Sequence, residues 1–523
     1  MIRNPEPATH GSPQAAPSSV ARPAAKRTIP VPGAVVVAAV AGFCLDLAYP
    51  ETGWWPLAFA SVTVSLWLLR GRSLPASFVI SLTYGATFYV THLSWVSTFL
   101  GPLPWAALSG LQALLFAAGG PLITLAYRYS RGRLWALAPA WVAGVWVLRE
   151  TVMGTWPYGG FPWARLGVVL VDTLFAEAAS WLGTTGLSFL IVFLCAGALD
   201  VALRRRLSHL VALTLIGAVA ALVPAFPTTY IGDLRVGWVQ GNGPSAYFDP
   251  RSEGDIFDAQ QTATTSLIGE DLDLLVWPEG SVDSDPLREA DTAERLDALT
   301  QTIGSPLLVN SATTREGLTF NTSLLWTGTT APQAYDKANP VPFGEYVPDR
   351  WFYELLAPDL VGMIQREYTP GTNLPAMSVA GSRVGLAICF DVIYDRVIHD
   401  SAVKGAEVYV FQTNNADFRG TDENLQQLAI ARMRALETGR TVVNVSTTGT
   451  SQVIRTDGTT VAAVPADTAA AKVSSVPLHR GITPAVILMP WIGPAIGGLS
   501  VLMLMLSIAE RRLRSRSPHV RSK

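Results

Sequence analysis

The sequence predicts a polytopic α-helical membrane domain of about eight transmembrane helices joined to one α/β domain. Three observations carry this. Of 523 residues, 49% are hydrophobic and 15% charged, with a mean hydropathy of +0.31, which is too apolar for an ordinary soluble enzyme. Apolar runs of near bilayer-spanning length recur from residue 30 to 226 and once more at 484–509. Between them lie about 257 residues in which short apolar strand runs alternate with helical patterns.

The chain opens with residues 1–28, rich in Pro, Ala and Ser and carrying Arg22, Lys26 and Arg27. This composition reads as a disordered, basic cytoplasmic tail. Apolar runs follow at 30–49, 54–70, 75–99, 103–127, 134–153, 184–203 and 208–226, placing the membrane domain at 29–226. Each approaches the roughly 20 residues that cross a bilayer. The first run follows a long tail and precedes further runs, so it reads as an uncleaved helix rather than a signal peptide.

Arg and Lys fix the expected orientation. They crowd the tail before the first run, recur at Arg70–Arg72, Arg128–Arg133 and Arg204–Arg206, and fill the end of the chain at 510–523. The alternate loops, 47–53 and 99–104, have neither. The positive-inside rule then puts both termini in the cytoplasm and residues 227–483 outside it, with 484–509 the last transmembrane helix and 510–523 a basic cytoplasmic tail.

Within 227–483 the strand runs are 234–240, 273–277, 306–312, 322–327, 384–389, 407–413 and 441–446. A helix is expected over 422–438, with Leu425, Leu428, Ile430, Met433 and Leu436 at near-helical spacing. Three cysteines exclude a disulfide framework. The six histidines show no metal-ligand spacing, no cofactor is expected, and no basic block within a folded segment suits nucleic acid.

Three stretches carry chemistry. In 385–391, GLAICFD, a buried run ends at Cys389, and Phe390-Asp391 open an expected helix whose dipole would favour the thiolate. Cys44 and Cys195 both lie inside long apolar runs, so Cys389 is the only thiol outside them. In 272–280, LDLLVWPEG, a strand delivers Glu279 at its end. In 335–348, YDKANPVPFGEYVP, Lys337 leaves a strand before a Pro-rich loop carrying Glu345.

In this order and wording the three resemble the nitrilase superfamily of carbon–nitrogen hydrolases, and within it the apolipoprotein N-acyltransferase family. Residues 139–163, with Trp141, Arg149 and Phe161-Pro162-Trp163, and the weaker echo THLSWV at 91–96, are similar to that family's membrane part. The resemblance covers nearly the whole chain except its tails. It implies an α-β-β-α sandwich in the extracytoplasmic domain. It also implies transfer of a phospholipid acyl chain, through a Cys389 thioester, to the diacylglyceryl-cysteine amine of apolipoproteins at a bacterial cytoplasmic membrane. The chain departs from the family's wording at Phe390-Asp391, where relatives read Tyr-Glu, and at Asp417, where Trp is usual. Neither a phenolic hydroxyl nor aromatic packing is carried over to those places.

Thiol acyl transfer needs a nucleophile, a base and a cradle for the oxyanion. Cys389 is the expected nucleophile and Glu279 the base, with burial raising its pKa. Lys337 is the cation for the oxyanion, with the backbone N–H of Phe390. The resemblance makes Glu345 the support of Lys337, and Asp391 keeps the family's acid in shortened form. Trp351, Phe352 and Tyr353 lie in a long Pro-rich segment, 341–372, read as a structureless loop that suits a bilayer interface. Tyr247 and Phe248 are read as lining the lipid entry. Two rivals share these residues: a membrane-anchored nitrilase-type amidase, and a scaffold for a polyprenol mannosyltransferase, to which some relatives of the family are linked.

Overall fold

The computed structural model describes residues 29–130, 136–204 and 207–516. The predicted tail 1–28, residues 517–523 of the predicted tail 510–523, and the basic-loop residues 131–135 and 205–206 lie outside the described residues.

Each expected apolar run holds a helix. They are α1 (Val31–Asp46), α2 (Pro56–Leu69), α3 (Leu74–His92), α5 (Pro102–Tyr129), α6 (Ala138–Met153), α7 (Ala179–Arg204), α8 (Leu207–Leu222) and α16 (Ile492–Arg516), with the short α4 (Ser97–Leu100) before α5. Pro102–Tyr129, Ala176–Arg204 and Ile492–Leu513 are long and apolar enough to cross a bilayer on length and composition. Val31–Asp46, Pro56–Leu69 and Ser208–Leu222 are apolar but shorter. Small residues let the helices close on one another. A Cβ on Gly42 of α1 would stand 2.3 Å from the Tyr84 carbonyl oxygen of α3. The run 484–509 is not one helix: it breaks after α15 (Pro484–Leu488), where Pro490 supplies no backbone donor, and resumes as α16.

Strands run from Thr229 to Arg480 and build two six-stranded sheets. The first is ordered β12-β1-β2-β3-β4-β5, from β1 (Thr229–Gln240), β2 (Leu274–Val276), β3 (Leu307–Arg315), β4 (Leu318–Trp326), β5 (Gln333–Asp336) and β12 (Ala470–Arg480). The second is ordered β11-β10-β9-β8-β7-β6, from β6 (Ala376–Val379), β7 (Ser382–Ile388), β8 (Val408–Thr413), β9 (Val442–Ser446), β10 (Ser451–Ile454) and β11 (Thr460–Val464). The centre of each sheet is parallel, β1-β2-β3 and β7-β8-β9.

Period-two alternation sorts the side chains. Val236, Trp238, Leu274 and Val276 of the first sheet meet Val384, Leu386, Ile388, Val408 and Val410 of the second in the inner core. Leu275 and Trp277 point outward to α9 (Asp255–Thr264) and α10 (Ala290–Ile303), packing with Phe257, Leu296 and Ile303. On the other side, Ala387, Tyr409 and Phe411 meet α13 (Asp395–Val403) and α14 (Glu423–Thr438). The four layers are α-β-β-α, as the resemblance implied. β6, β10, β11 and β12 were not expected from the sequence. The first three are short, and β11 and β12 keep several exposed or half-exposed residues, so none shows the longer buried run of the central strands.

The core behind the second sheet does not end at α14. It runs on into the helical bundle through Leu428, Ile430, Met433, Leu166, Val169 and Leu187. Polar ties reinforce this seam. Thr184 of α7 donates its N–H and hydroxyl to Glu437 at 2.7 and 2.6 Å. Arg165 pairs with Asp395 at 2.8 Å. Trp95 and Trp163 both donate indole N–H groups to Gln426 Oε1, at 3.1 and 2.7 Å.

Segment 341–372 is not structureless. It folds into α11 (Arg350–Leu356) and α12 (Pro358–Met363), and Val347, Val361 and Ile364 pack against Phe99 and Leu100 of α4. An aromatic-rich composition between prolines hid two helices too short to show a period.

Candidate active site

Cys389 follows β7 directly, with a positive φ of 47°. A non-glycine residue there is strained, and the turn holds its side chain at the C-terminal end of β7. The expected helix after it is replaced by a 3₁₀ turn, Cys389–Ile393, and α13 begins only at Asp395. One short turn carries little dipole. Burial, and then the Glu279 carboxylate, push the thiol well above its ordinary pKa, against the pull of Lys337 and Gln427. The expectation of a dipole-favoured thiolate is therefore overturned: burial and Glu279 favour the protonated thiol.

Glu279 leaves β2 through Trp277-Pro278 and is buried. Lys337 leaves β5, with its N–H donating to the Asn321 carbonyl at 2.8 Å, and is 2% exposed. Its ammonium lies 3.0 Å from Glu279 Oε1 and 2.9 Å from Glu345 Oε2. Glu345 closes a turn on itself, accepting the Val341 N–H at 2.7 Å on Oε2. So Glu279, Lys337 and Glu345 form one buried cluster, and Cys389 shares their cavity. Burial raises the pKa of Glu279 although Lys337 opposes it. Burial works against the charge on Lys337, but the Glu279 and Glu345 carboxylates more than offset it and hold the ammonium well above its usual range.

Asn321 of β4 was missed by sequence reasoning. Its Nδ2 donates to Glu279 at 2.8 Å and to Glu345 at 3.0 Å. Its orientation is forced: Asn310 Nδ2 donates to Asn321 Oδ1 at 2.8 Å, while Asn310 Oδ1 accepts the Gly280 N–H at 2.7 Å. An Asn inside an apolar strand was the available signal, since Asn is depleted there.

Asp391 is fully buried and does not face the cavity. It accepts from the Tyr335 hydroxyl at 2.7 Å, from the Asn339 N–H at 2.8 Å and from Asn339 Nδ2 at 2.9 Å. It therefore staples the segment after Lys337 to the turn after Cys389. The Phe390 ring packs against Phe161 and Tyr394.

The cavity measures about 370 Å³. Beyond the polar cluster it is lined by Tyr247, Val341, Tyr368, Phe418 and, from the bundle, Phe99. Tyr247 stands edge-on to Phe99 at 5.9 Å and Phe248 packs against Tyr247 at 4.9 Å. Asp417, in place of an aromatic, accepts the Tyr247 N–H at 2.8 Å. The structure separates the other three aromatics from this wall. Trp351 (71% exposed) and Phe352 lie on an open face of α11 with Leu355 and Leu356, while Tyr353 turns onto Phe343 at 4.8 Å.

A second carboxylate stands behind the thiol. Glu423 is buried and accepts from Asn415 Nδ2 at 2.7 Å; burial lifts it from near 4.5 to about 8. The folded chain then keeps a proton that the unfolded chain loses, so this group erodes stability as pH rises between those values. Glu423→Gln removes that erosion. Its thermal midpoint should gain on wild type from about pH 5 to pH 8, and a constant difference would show that Glu423 ionises normally.

Among the described residues, Asp46, Glu51 and His92 have donor atoms within 4.8 Å of one another. These groups are engaged with protein: His92 Nδ1 with Asp46 at 3.0 Å, and Glu51 Oε1 with Gln426 Nε2 at 3.0 Å. His399 is half-buried beside Asp400, outside the cavity lining.

Residues 41–197 match the family described as apolipoprotein N-acyltransferase N-terminal domain, and residues 236–480 match carbon-nitrogen hydrolase. Three relatives bear the name apolipoprotein N-acyltransferase. That of Ralstonia nicotianae is 30% identical, across 92% of this chain and 94% of its own. That of Mycolicibacterium smegmatis is 29% identical, across 91% and 86%. That of Photobacterium profundum is 26% identical, across 88% and 92%.

Proposed function

This chain belongs to the apolipoprotein N-acyltransferase family, and from that membership and its buried Glu–Lys–Glu–Cys site we propose that it carries a phospholipid acyl chain, through a Cys389 thioester, to the N-terminal amine of diacylglyceryl-cysteine on apolipoproteins. The observation that carries the reading is the cavity. One wall holds Glu279, Lys337 and Cys389, and the other takes Phe99 from the apolar bundle.

The shared cavity supports the following steps. Glu279 takes the thiol proton, and the raised pKa of the carboxyl suits it to that task. The thiolate attacks the ester carbonyl. Lys337 and the Phe390 N–H hold the oxyanion, and the proton returns to the departing lysophospholipid oxygen. In the second half the lipoprotein amine attacks the thioester, Glu279 takes the amine proton, and the thiolate leaves and recovers it. Glu345 and Asn321 hold Lys337 and Glu279 in place throughout. Tyr247 and Phe248 form the acyl-chain entry. Trp351 and Phe352 offer their open face to the bilayer interface. Moving an acyl chain through water costs about 0.8 kcal/mol per CH₂, which an opening at the bundle's edge avoids.

We place the catalytic domain at 227–483, on the extracytoplasmic side of a bacterial cytoplasmic membrane. The support is a basic end of the bundle, away from the sandwich. There Arg128 donates to the Arg72 carbonyl, Arg511 to the Arg128 carbonyl, and Arg70 and Arg204 pair with Asp200. A reporter active only outside the cytoplasm should work when fused after residue 240 and fail after 515; the reverse pattern would refute this sidedness. The amidase rival shares the site and differs only in giving the acyl group to water. The mannosyltransferase partnership rests on the resemblance alone. Mass spectrometry of a lipoprotein N-terminus, from cells with and without this protein, decides the function. The expected result is one N-linked acyl chain gained; identical spectra would rule the transferase out.

A further inference from the structure

We propose that Gln427 is a catalytic residue: its side-chain amide donates a hydrogen bond to Cys389 Sγ and stabilises the thiolate formed when Glu279 takes the proton. The inference rests on the reading of Cys389 as nucleophile.

Gln427 Nε2 lies 3.5 Å from Sγ. Which end of an amide faces a sulfur must be argued from its partners. Here the partners leave one choice. Gly449 donates its N–H to Ser446 Oγ at 2.9 Å, so the Ser446 hydroxyl spends its own proton on Asn415 Oδ1, 2.6 Å away. Thr413 Oγ1 has its one proton between that oxygen, at 3.4 Å, and the Val445 carbonyl, at 3.3 Å, so the Ser446 bond decides the amide's orientation. The Asn415 amide is thereby fixed with Nδ2 forward, donating to Glu423 Oε2 at 2.7 Å and to Gln427 Oε1 at 3.1 Å. Gln427 Oε1 is an acceptor in that contact, so its NH₂ group faces the sulfur. Gln427, Asn415, Glu423 and Ser446 are all buried, which leaves no solvent to let either amide turn over.

The site has need of such a donor. Glu279 faces the thiol with a carboxylate, and Lys337 is committed to two carboxylates at once. A neutral amide beside the sulfur favours its charged form without adding an ion that would itself need compensation. Glu423 on the same side also opposes the thiolate, which a donor to the sulfur offsets. Asn415 is a positioning residue in this scheme, acting only through Gln427.

The test uses full-length protein in detergent, in a Cys44→Ala/Cys195→Ala background. The rate at which the Cys389 thiolate displaces iodide from iodoacetamide is followed by mass spectrometry against pH. Gln427→Met keeps the length and removes the donor. It should move the midpoint of the profile up by about one pH unit and slow single-turnover acylation about tenfold. A folded Gln427→Met protein with an unchanged midpoint and rate overturns the proposal. If Gln427→Met does not fold, Asn415→Leu releases the Gln427 amide and should move the midpoint the same way; no movement there overturns the proposal equally. Failure of wild type to transfer acyl groups would instead refute the proposed function, and would leave the alkylation comparison readable.

Discussion

Cys389→Ser protein, incubated with phospholipid, should carry no hydroxylamine-sensitive acyl adduct, and turnover should fall by about 10⁴–10⁶-fold. The substitution changes one atom, so the fold should hold. A serine hydroxyl, however, is a far weaker acid than a thiol, and Glu279 cannot deprotonate it to a useful extent. The strained turn at Cys389 adds to the loss, because it fixes the distance at which the nucleophile meets the carbonyl. Cys44→Ala and Cys195→Ala proteins should keep the adduct. Cys195 lies buried in α7 with its Sγ against the Phe59 carbonyl at 3.4 Å, inside the bundle. Adduct persisting on Cys389→Ser protein, or lost from either alanine variant, would remove Cys389 as the nucleophile.

Lys337→Ala should damage two quantities that can be read apart. Loss of the oxyanion's cation should lower both acylation and transfer by about 10²–10³-fold. Stability should fall as well. The ammonium is the shared partner of Glu279 and Glu345, both with little exposure, and its removal leaves two carboxylates facing each other. Stripping one partner from a buried ion cluster costs about 3–5 kcal/mol. For a domain of this size that lowers the thermal midpoint by roughly 10 °C. A Lys337→Ala/Glu345→Gln double variant separates the two losses. It relieves the repulsion, so the midpoint should return part of the way while acylation stays low. Recovery of acylation in the double variant would show that Lys337 serves structure and not the oxyanion. Lys337→Arg should not rescue the rate either, because a planar guanidinium cannot fill a point between two carboxylates and the substrate oxygen.

Cys389, Glu279 and Lys337 were legible in the sequence for a common reason: each stands just past a strand whose apolar run marks it as buried. A reactive group at the end of such a run is conspicuous. Asn321 and Gln427 were not, because their roles exist only across elements. Asn321 bridges Glu279 and Glu345 from β4, and Gln427 reaches Cys389 across 38 positions of chain. The state of the thiol was misread for a related reason. A dipole argument uses only the neighbours in sequence, whereas burial and the Glu279 charge come from elsewhere and dominate. Among the strands, buried parallel ones announced themselves, and most of the short or edge ones did not. The roles of Trp351 and Tyr353 could not be separated in sequence, since adjacent aromatics on a short helix part only when the helix is seated.

Helix α14 has no outside. Gln426 faces the bundle's tryptophans, Gln427 faces Cys389, and only Asn424, Leu425 and Arg432 of its sixteen residues escape burial. Most helices in a family keep one face on which substitutions can accumulate without effect. This one offers no such face, so any change must be answered in the membrane part, in the catalytic sandwich, or in both. The two halves of the chain are thereby obliged to evolve together, and a sandwich grafted onto a relative's bundle would inherit a seam cut for another partner.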